Sequence, residues 1–223
     1  MNEKTINFSE RKAALASLCQ KVGAYFASEI DPDEVSPLRT HIPAIDNMAG
    51  GFPKNTLSEV IESKPSCGGT FLIHRLLDQV RQARGYVALV DGSDSFSPDS
   101  ITNTKSLEHL YWVRCRDSQE AIRVSDLLAG DGNFSLLLID LRLNRKEAIH
   151  SIPSNRWYRL QRTVKKANST CIALTPFALL AAAKLRFHLV NSWNLAALEQ
   201  SQTFLQEQLQ IETLSESRIE RIG

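Results

Sequence analysis

Residues 56–84 read TLSEVIESKPSCGGTFLIHRLLDQVRQAR, and the order of parts in this stretch decides the fold class. TLSEVI (56–61) reads as a short strand. ESKPSCGGT (62–70) gathers the Ser, Pro and Gly residues that interrupt regular structure, so it is a loop. TFLIHRLLDQVRQAR (70–84) places Ile73, Leu76, Leu77, Val80 and Ala83 at three- and four-residue steps, which is one face of a helix. Gly85 is placed to end that helix. YVALVD (86–91) then follows as an apolar strand of the kind covered on both faces in a parallel sheet.

Working outward, the alternation continues. LYWV (110–113) reads as a strand, and DSQEAIRVSDLLAG (117–130) as a helix opened by an Asp117 cap with Glu120 three residues on. FSLLLID (134–140) is a strongly apolar strand, NRWYRLQRTVKKA (155–167) a helix and TCIAL (170–174) another buried strand. Strands alternating with helices predict an α/β domain with a mainly parallel central sheet flanked by helices. The tail from Leu185, with RFHLV (186–190) and FLQEQLQIETL (204–214), reads as antiparallel strands closing the sheet edge. Upstream, apolar residues recur with helical spacing over 9–30, DPDEVSPLRTHIP (31–43) reads as a connector, and IDNMAGGFPKN (45–55) supplies a Gly-Gly-x-Pro turn. The expected division is an N-terminal helix and linker over 1–41 and a core domain over 42–223.

Composition bounds the function. The 223 residues are 43% hydrophobic and 23% charged, enough for one domain with a substantial core. A formal net charge of +1 leaves any attraction to a polyanion to a local patch. Cys19, Cys67, Cys115 and Cys171 are scattered singly, without zinc-site or disulfide-framework spacing, which fits a reducing cytosol. His41, His74, His109, His150 and His188 show no metal-ligand spacing, and no serine sits in a nucleophile elbow. No apolar run reaches the roughly 18 residues of a membrane span, and the first residues do not read as a signal peptide. A soluble, cytoplasmic protein without a membrane partner is the expectation.

The loop Ser63, Lys64, Pro65, Ser66, Cys67, Gly68, Gly69 and Thr70 lies between a strand and a helix, where a phosphate-binding loop would read Gly, four residues, Gly, Lys, then Ser or Thr. Gly68 and Thr70 match that pattern. Ser63 replaces the first glycine and Gly69 replaces the lysine. Backbone amides and a helix N-terminus still attract an anion, so weak binding of ATP is compatible with the loop. The missing lysine weakens it by roughly ten- to a hundredfold and penalises turnover further, because that ammonium neutralises the transferring phosphoryl group. Asp140, closing the LLLID strand, stands where an aspartate would help to hold magnesium, with Thr70 supplying a hydroxyl. Both are magnesium ligands only if nucleotide binds. After YVALV, Ser93 stands where an active ATPase would present a glutamate to water, with Asp94 one residue displaced. Lys64 is the candidate for a substitute cation.

In the helix from Arg156, the residues Trp157, Leu160, Val164 and Ala167 gather on one side, and Arg159, Arg162 and Lys166 nearly opposite. With Arg142, Arg145 and Lys146 in the preceding loop, these cations are candidates to contact DNA phosphates; an ordinary solvated face is the alternative.

In their order, IPAIDNMAGGFPKNTLSEVIES, the degenerate loop, YVALVDGSDSFSPDSI, HLYWVRC, FSLLLIDL and NRWYRLQRTVKKANSTCIALTP resemble the RecA superfamily. Within it they resemble the ImuA family of RecA-like bacterial proteins associated with translesion synthesis. The resemblance covers about residues 42–189. It implies a RecA-like core and an accessory role in SOS-induced, error-prone DNA repair; the departures at Ser63, Gly69 and Ser93 make the expectation a pseudo-ATPase that requires no cofactor. The implied partners are polymerase-like translesion proteins, with RecA itself, DNA and a second copy of the chain as further candidates. A working DNA-dependent ATPase and a RecA-related cell-division inhibitor are the alternatives.

Overall fold

The computed structural model describes residues 36–101 and 103–213. The helix expected over 9–30 lies outside the described residues. The chain divides into two units, Met1–Ser36 and Pro37–Gly223, and the second holds every element named below.

At the centre is one seven-stranded sheet in the order β3-β2-β4-β5-β1-β6-β7. Its strands are β1 (Leu57–Ile61), β2 (Val87–Asp91), β3 (Leu110–Arg114), β4 (Leu136–Asp140), β5 (Thr170–Thr175), β6 (Leu185–Leu189) and β7 (Ile211–Thr213). All neighbours are parallel except β6 and β7. Every residue of β1, β2, β4 and β5 is buried; β2, β4 and the centre of β5 are accordingly apolar runs rather than alternating ones, while β1 also buries Ser58 and Glu59.

The helices are α1 (Pro43–Ala49), α2 (Gly69–Gln82), α3 (Ser118–Asp131), α4 (Lys146–His150), α5 (Ser154–Ala167) and α6 (Gln202–Gln208). Side chains alternate across a strand, and the two faces of β4 feed two separate cores. Leu136 and Leu138 join Ile73, Leu76 and Leu77 of α2, with Ile42 and Ile45 at α1. Leu137 and Ile139 join Ala121 and Ile122 of α3 and Trp157, Leu160 and Val164 of α5. The result is three layers, helices on both faces of the sheet. The α3 cap is the one expected: Asp117 accepts a hydrogen bond from the Glu120 amide at 2.8 Å. Glu120 reaches back to the Arg116 amide at 2.8 Å.

Three local expectations are corrected. Residues 43–49 form a helix with Pro43 in its first turn, before the glycine turn begins. Gly85 does not take the left-handed turn that ends α2; Arg84 does, with φ 57. Gly85 is instead a close approach, since a Cβ there would lie 2.9 Å from the Ser135 Cβ. In the tail, β6 runs parallel to β1 and only β7 is antiparallel. Residues 202–208 are helix, because Ser201 caps the Phe204 amide and the Gln, Leu and Glu that follow are strong helix formers.

A buried ion pair joins β6 to β1. Glu59, fully buried in β1, accepts from Thr175 Oγ1 at 3.0 Å, from the Leu179 amide at 2.8 Å and from Arg186 Nε of β6. Arg186 also donates to the Leu180 carbonyl at 2.6 Å. Among the described residues, no helix is long and apolar enough to cross a membrane.

A candidate site at the carboxyl end of β1

In this order β1 is flanked by β5 and β6, while the chain leaving β1 crosses to β2, three strands away on the β5 side with β5 and β4 between them. The chain leaving the neighbouring β5 instead crosses β1 to reach β6, so the connections of these adjacent strands run in opposite directions, and the crevice outside the carboxyl ends at such a divergence is where open α/β sheets bind ligands. The 62–70 loop and the N-terminus of α2 border that crevice. Gly68 takes φ 107 ahead of the first helical turn, a conformation that favours glycine.

The centre of the site is Arg142. Its guanidinium bonds Asp140 through Nε–Oδ1 at 2.9 Å and Nη2–Oδ2 at 2.7 Å, and Glu62 through Nη1–Oε2 at 2.7 Å. Nη1 also reaches Thr70 Oγ1 at 3.4 Å. The arginine side chain is 13% exposed, Glu62 7% and Asp140 not at all. Burial alone would lower the arginine pKa; the bonds and charges of Asp140 and Glu62 outweigh it and drive the pKa up. The guanidinium is therefore a permanent cation, and two carboxylates against it leave a net single negative charge.

Glu62 also turns into the loop. Its Oε1 accepts the Cys67 amide at 3.1 Å, a loop donor of the kind that would otherwise face an anion. A Cβ on Gly69 would collide with Glu62 Oε2 and Arg142 Nη1, so the ion pair fills the space a lysine would need there. A Cβ on Gly68 would lie 2.5 Å from Leu209 Cδ1 and 3.3 Å from the Trp193 ring. Trp193 is fixed by its amide, which donates to the Ser66 carbonyl at 3.0 Å, and by an edge contact to Phe71, with centroids 5.7 Å apart.

Beside the ion pair opens a cavity of about 770 Å³, walled by Phe71, His74, Ser100, Trp193, Leu195 and Leu205, with Glu62, Ser66 and Thr70 at its polar end. Burial lowers the His74 pKa against the raising effect of Asp78, with Arg142 lowering it further. Its Nε2 lies 3.1 Å from Ser100 Oγ.

The sequence-derived residues distribute as follows. Gly68, Gly69, Thr70, Ser66 and Asp140 meet around the ion pair or its cavity. Ser63 faces outward and bonds His188 Nε2 at 2.9 Å. Lys64 and Pro65 are exposed, and Lys64 is absent from the cavity wall. Cys67 is a buried free thiol, its pKa raised chiefly by burial. Ser93 donates its amide to Asp91 Oδ1 at 3.2 Å, and Asp94 lies 3.8 Å from Arg114 at the surface. Of the cations assigned to DNA, Arg142 points inward and its charge is committed to Asp140 and Glu62. Arg145, Lys146, Arg162 and Lys166 are exposed, and Arg159 pairs with Asp126 at 2.8 Å. Sequence reasoning missed Glu62, Phe71, His74 and Trp193. Arg142 was named from the sequence as a contact to DNA; its place in the turn just after β4 is what lets it fold back on Asp140.

Among the described residues, no group of three or more His, Cys, Asp or Glu is arranged to hold a metal ion. No protein-family model matches the chain, and no curated protein matches it.

Proposed function

We propose that the chain is a RecA-like module that has exchanged ATP hydrolysis for a fixed internal ion pair. It acts as a binding protein in SOS-induced, error-prone translesion synthesis. The observation that carries the first part is Arg142, whose guanidinium holds both oxygens of Asp140 and one of Glu62 beside Thr70. A magnesium ion bound by Thr70 and Asp140 would have to displace that arginine. A triphosphate would have to displace the Glu62 carboxylate from the Cys67 amide and would meet net negative charge. The remaining loop amides and the α2 terminus still favour an anion, so ATP and magnesium bind weakly at most. The accessory role, with polymerase-like proteins and RecA as partners, rests on the resemblance of residues 42–189.

Two measurements test the two parts separately. Purified full-length protein should hydrolyse ATP with magnesium and single-stranded DNA no faster than a no-enzyme control; robust DNA-stimulated turnover overturns the pseudo-ATPase reading. Affinity capture from its native cells after DNA damage, with nuclease present, should recover polymerase-like proteins. Recovery of a tubulin-like division protein instead would move the reading to the division inhibitor.

A further inference from the structure

Helix α5 carries Arg156, Arg159, Arg162, Lys165 and Lys166 and no carboxylate, in a chain whose net charge is only +1. Its apolar stripe, Trp157, Leu160 and Val164, is buried against the sheet and α3. All five cations are exposed. Arg159 pairs with Asp126 of α3, to which Thr163 also donates at 3.2 Å. The other four pair with no carboxylate among the described residues.

Helix stability does not account for this pattern. Lys165 and Lys166 complement the negative end of the helix dipole, but Arg156 sits in the first turn, where a cation is unfavourable. Arg162 has Arg159 three residues before it and Lys165 and Lys166 three and four residues after it. Like charges at those spacings repel. A surface that keeps such repulsion is relieved by a polyanion. Amid the cations stands Tyr158, 45% exposed, four residues before Arg162 and seven before Lys165, hence on their side of the helix.

We infer that the outer face of α5 binds single-stranded nucleic acid, with Arg162, Lys165 and Lys166 on successive phosphates and Tyr158 stacking on a base. Cations tracking a backbone beside an exposed aromatic ring are the elements of sequence-tolerant single-strand binding. An anionic membrane fits less well, because a helix that lies on lipid needs its apolar face, and here that face is inside the core. The inference stands apart from the reading of the β1 site. That loop starts α2, which packs on the opposite face of the sheet from α5.

The test is fluorescence anisotropy of the full-length protein with a labelled oligothymidine of about 20 nucleotides, an equivalent duplex, and phosphatidylserine vesicles as competitor. Three phosphate contacts predict a slope of log K against log salt of about −2, or roughly a sixteenfold loss of affinity from 50 to 200 mM salt. The triple variant Arg162→Ala, Lys165→Ala, Lys166→Ala should bind at least tenfold more weakly and flatten the slope, with its circular dichroism unchanged and its melting temperature no lower than the parent's. Tyr158→Ala should lose about tenfold, and Tyr158→Phe should bind like the parent. Undiminished binding by a folded triple variant overturns the site. Equal affinity for duplex with a silent Tyr158→Ala overturns the stacking, and binding to vesicles alone overturns the nucleic acid.

Discussion

Arg142 grips Asp140, two residues before it, through two parallel hydrogen bonds of 2.9 and 2.7 Å at the end of β4. Such fork-on-fork pairs combine energy with fixed geometry. Here the fork extends to Glu62 across the sheet from β1, so one arginine ties the ends of β4 and β1 with β5 between them.

Removing that arginine leaves two buried carboxylates without a counter-charge. Arg142→Ala should destabilise the domain by about 3–5 kcal/mol, the range for breaking a buried pair on one side. Urea unfolding of the full chain measures it. Arg142→Lys should recover little, because an ammonium cannot match the planar fork. A loss below about 1 kcal/mol for Arg142→Ala would mean that the carboxylates are solvated.

Restoring a lysine at position 69 should fail. A Cβ there collides with the Glu62–Arg142 pair, so Gly69→Lys should cost stability, on the order of 1–3 kcal/mol as for other overpacked sites, and confer no ATP affinity. Combining it with Glu62→Ala removes the nearest clash and frees the Cys67 amide. The double variant should therefore bind ATP more tightly than either single variant, a non-additive result readable by calorimetry. Additive effects on affinity would show that Glu62 does not occupy the anion's place.

The fold was legible because its central strands are buried on both faces. LLLID and VALVD are apolar throughout, and the Asp117 cap marks α3 to the residue. The tail was not legible, for two reasons. The alternation of LQIET (209–213) masks the helical spacing of Leu205 and Leu209 just before it, and the parallel pairing of β6 with β1, where Glu59 meets Arg186, is a long-range relationship that no local pattern reports. The candidate site was half legible. Loop position and Asp140 follow from chain order, but the partner of each charge is fixed by sheet order, which brings residues 62, 70 and 142 together.

His74 predicts an acid sensitivity of known sign. Its folded pKa lies below the ordinary value of 6.5, chiefly through burial, so the unfolded chain binds the proton more readily. Stability from this group is fully present above about pH 6.5 and is lost as pH falls toward the lowered folded pKa. In the variant His74→Gln, the loss of stability between pH 7 and pH 5 should be smaller than in the parent. Denaturant midpoints across that range decide it. A parent and variant that fall in parallel would assign the acid loss to other groups.

Glu59 offers a test of why β6 lies where it does. Its carboxylate accepts from Thr175, from the Leu179 and Leu180 amides and from Arg186, so Glu59→Ala would orphan the buried Leu180 amide and a largely buried guanidinium together. The expected loss is about 3–5 kcal/mol. Replacing both charges, Glu59→Met with Arg186→Met, removes the unpaired cation while keeping most of the volume, though the Leu180 amide stays unsatisfied. That double variant should be markedly more stable than Glu59→Ala, by a margin that urea midpoints resolve. If it is not, the ion pair is dispensable, and the β1–β6 pairing depends on the apolar packing of Val60, Phe187 and Leu189 instead.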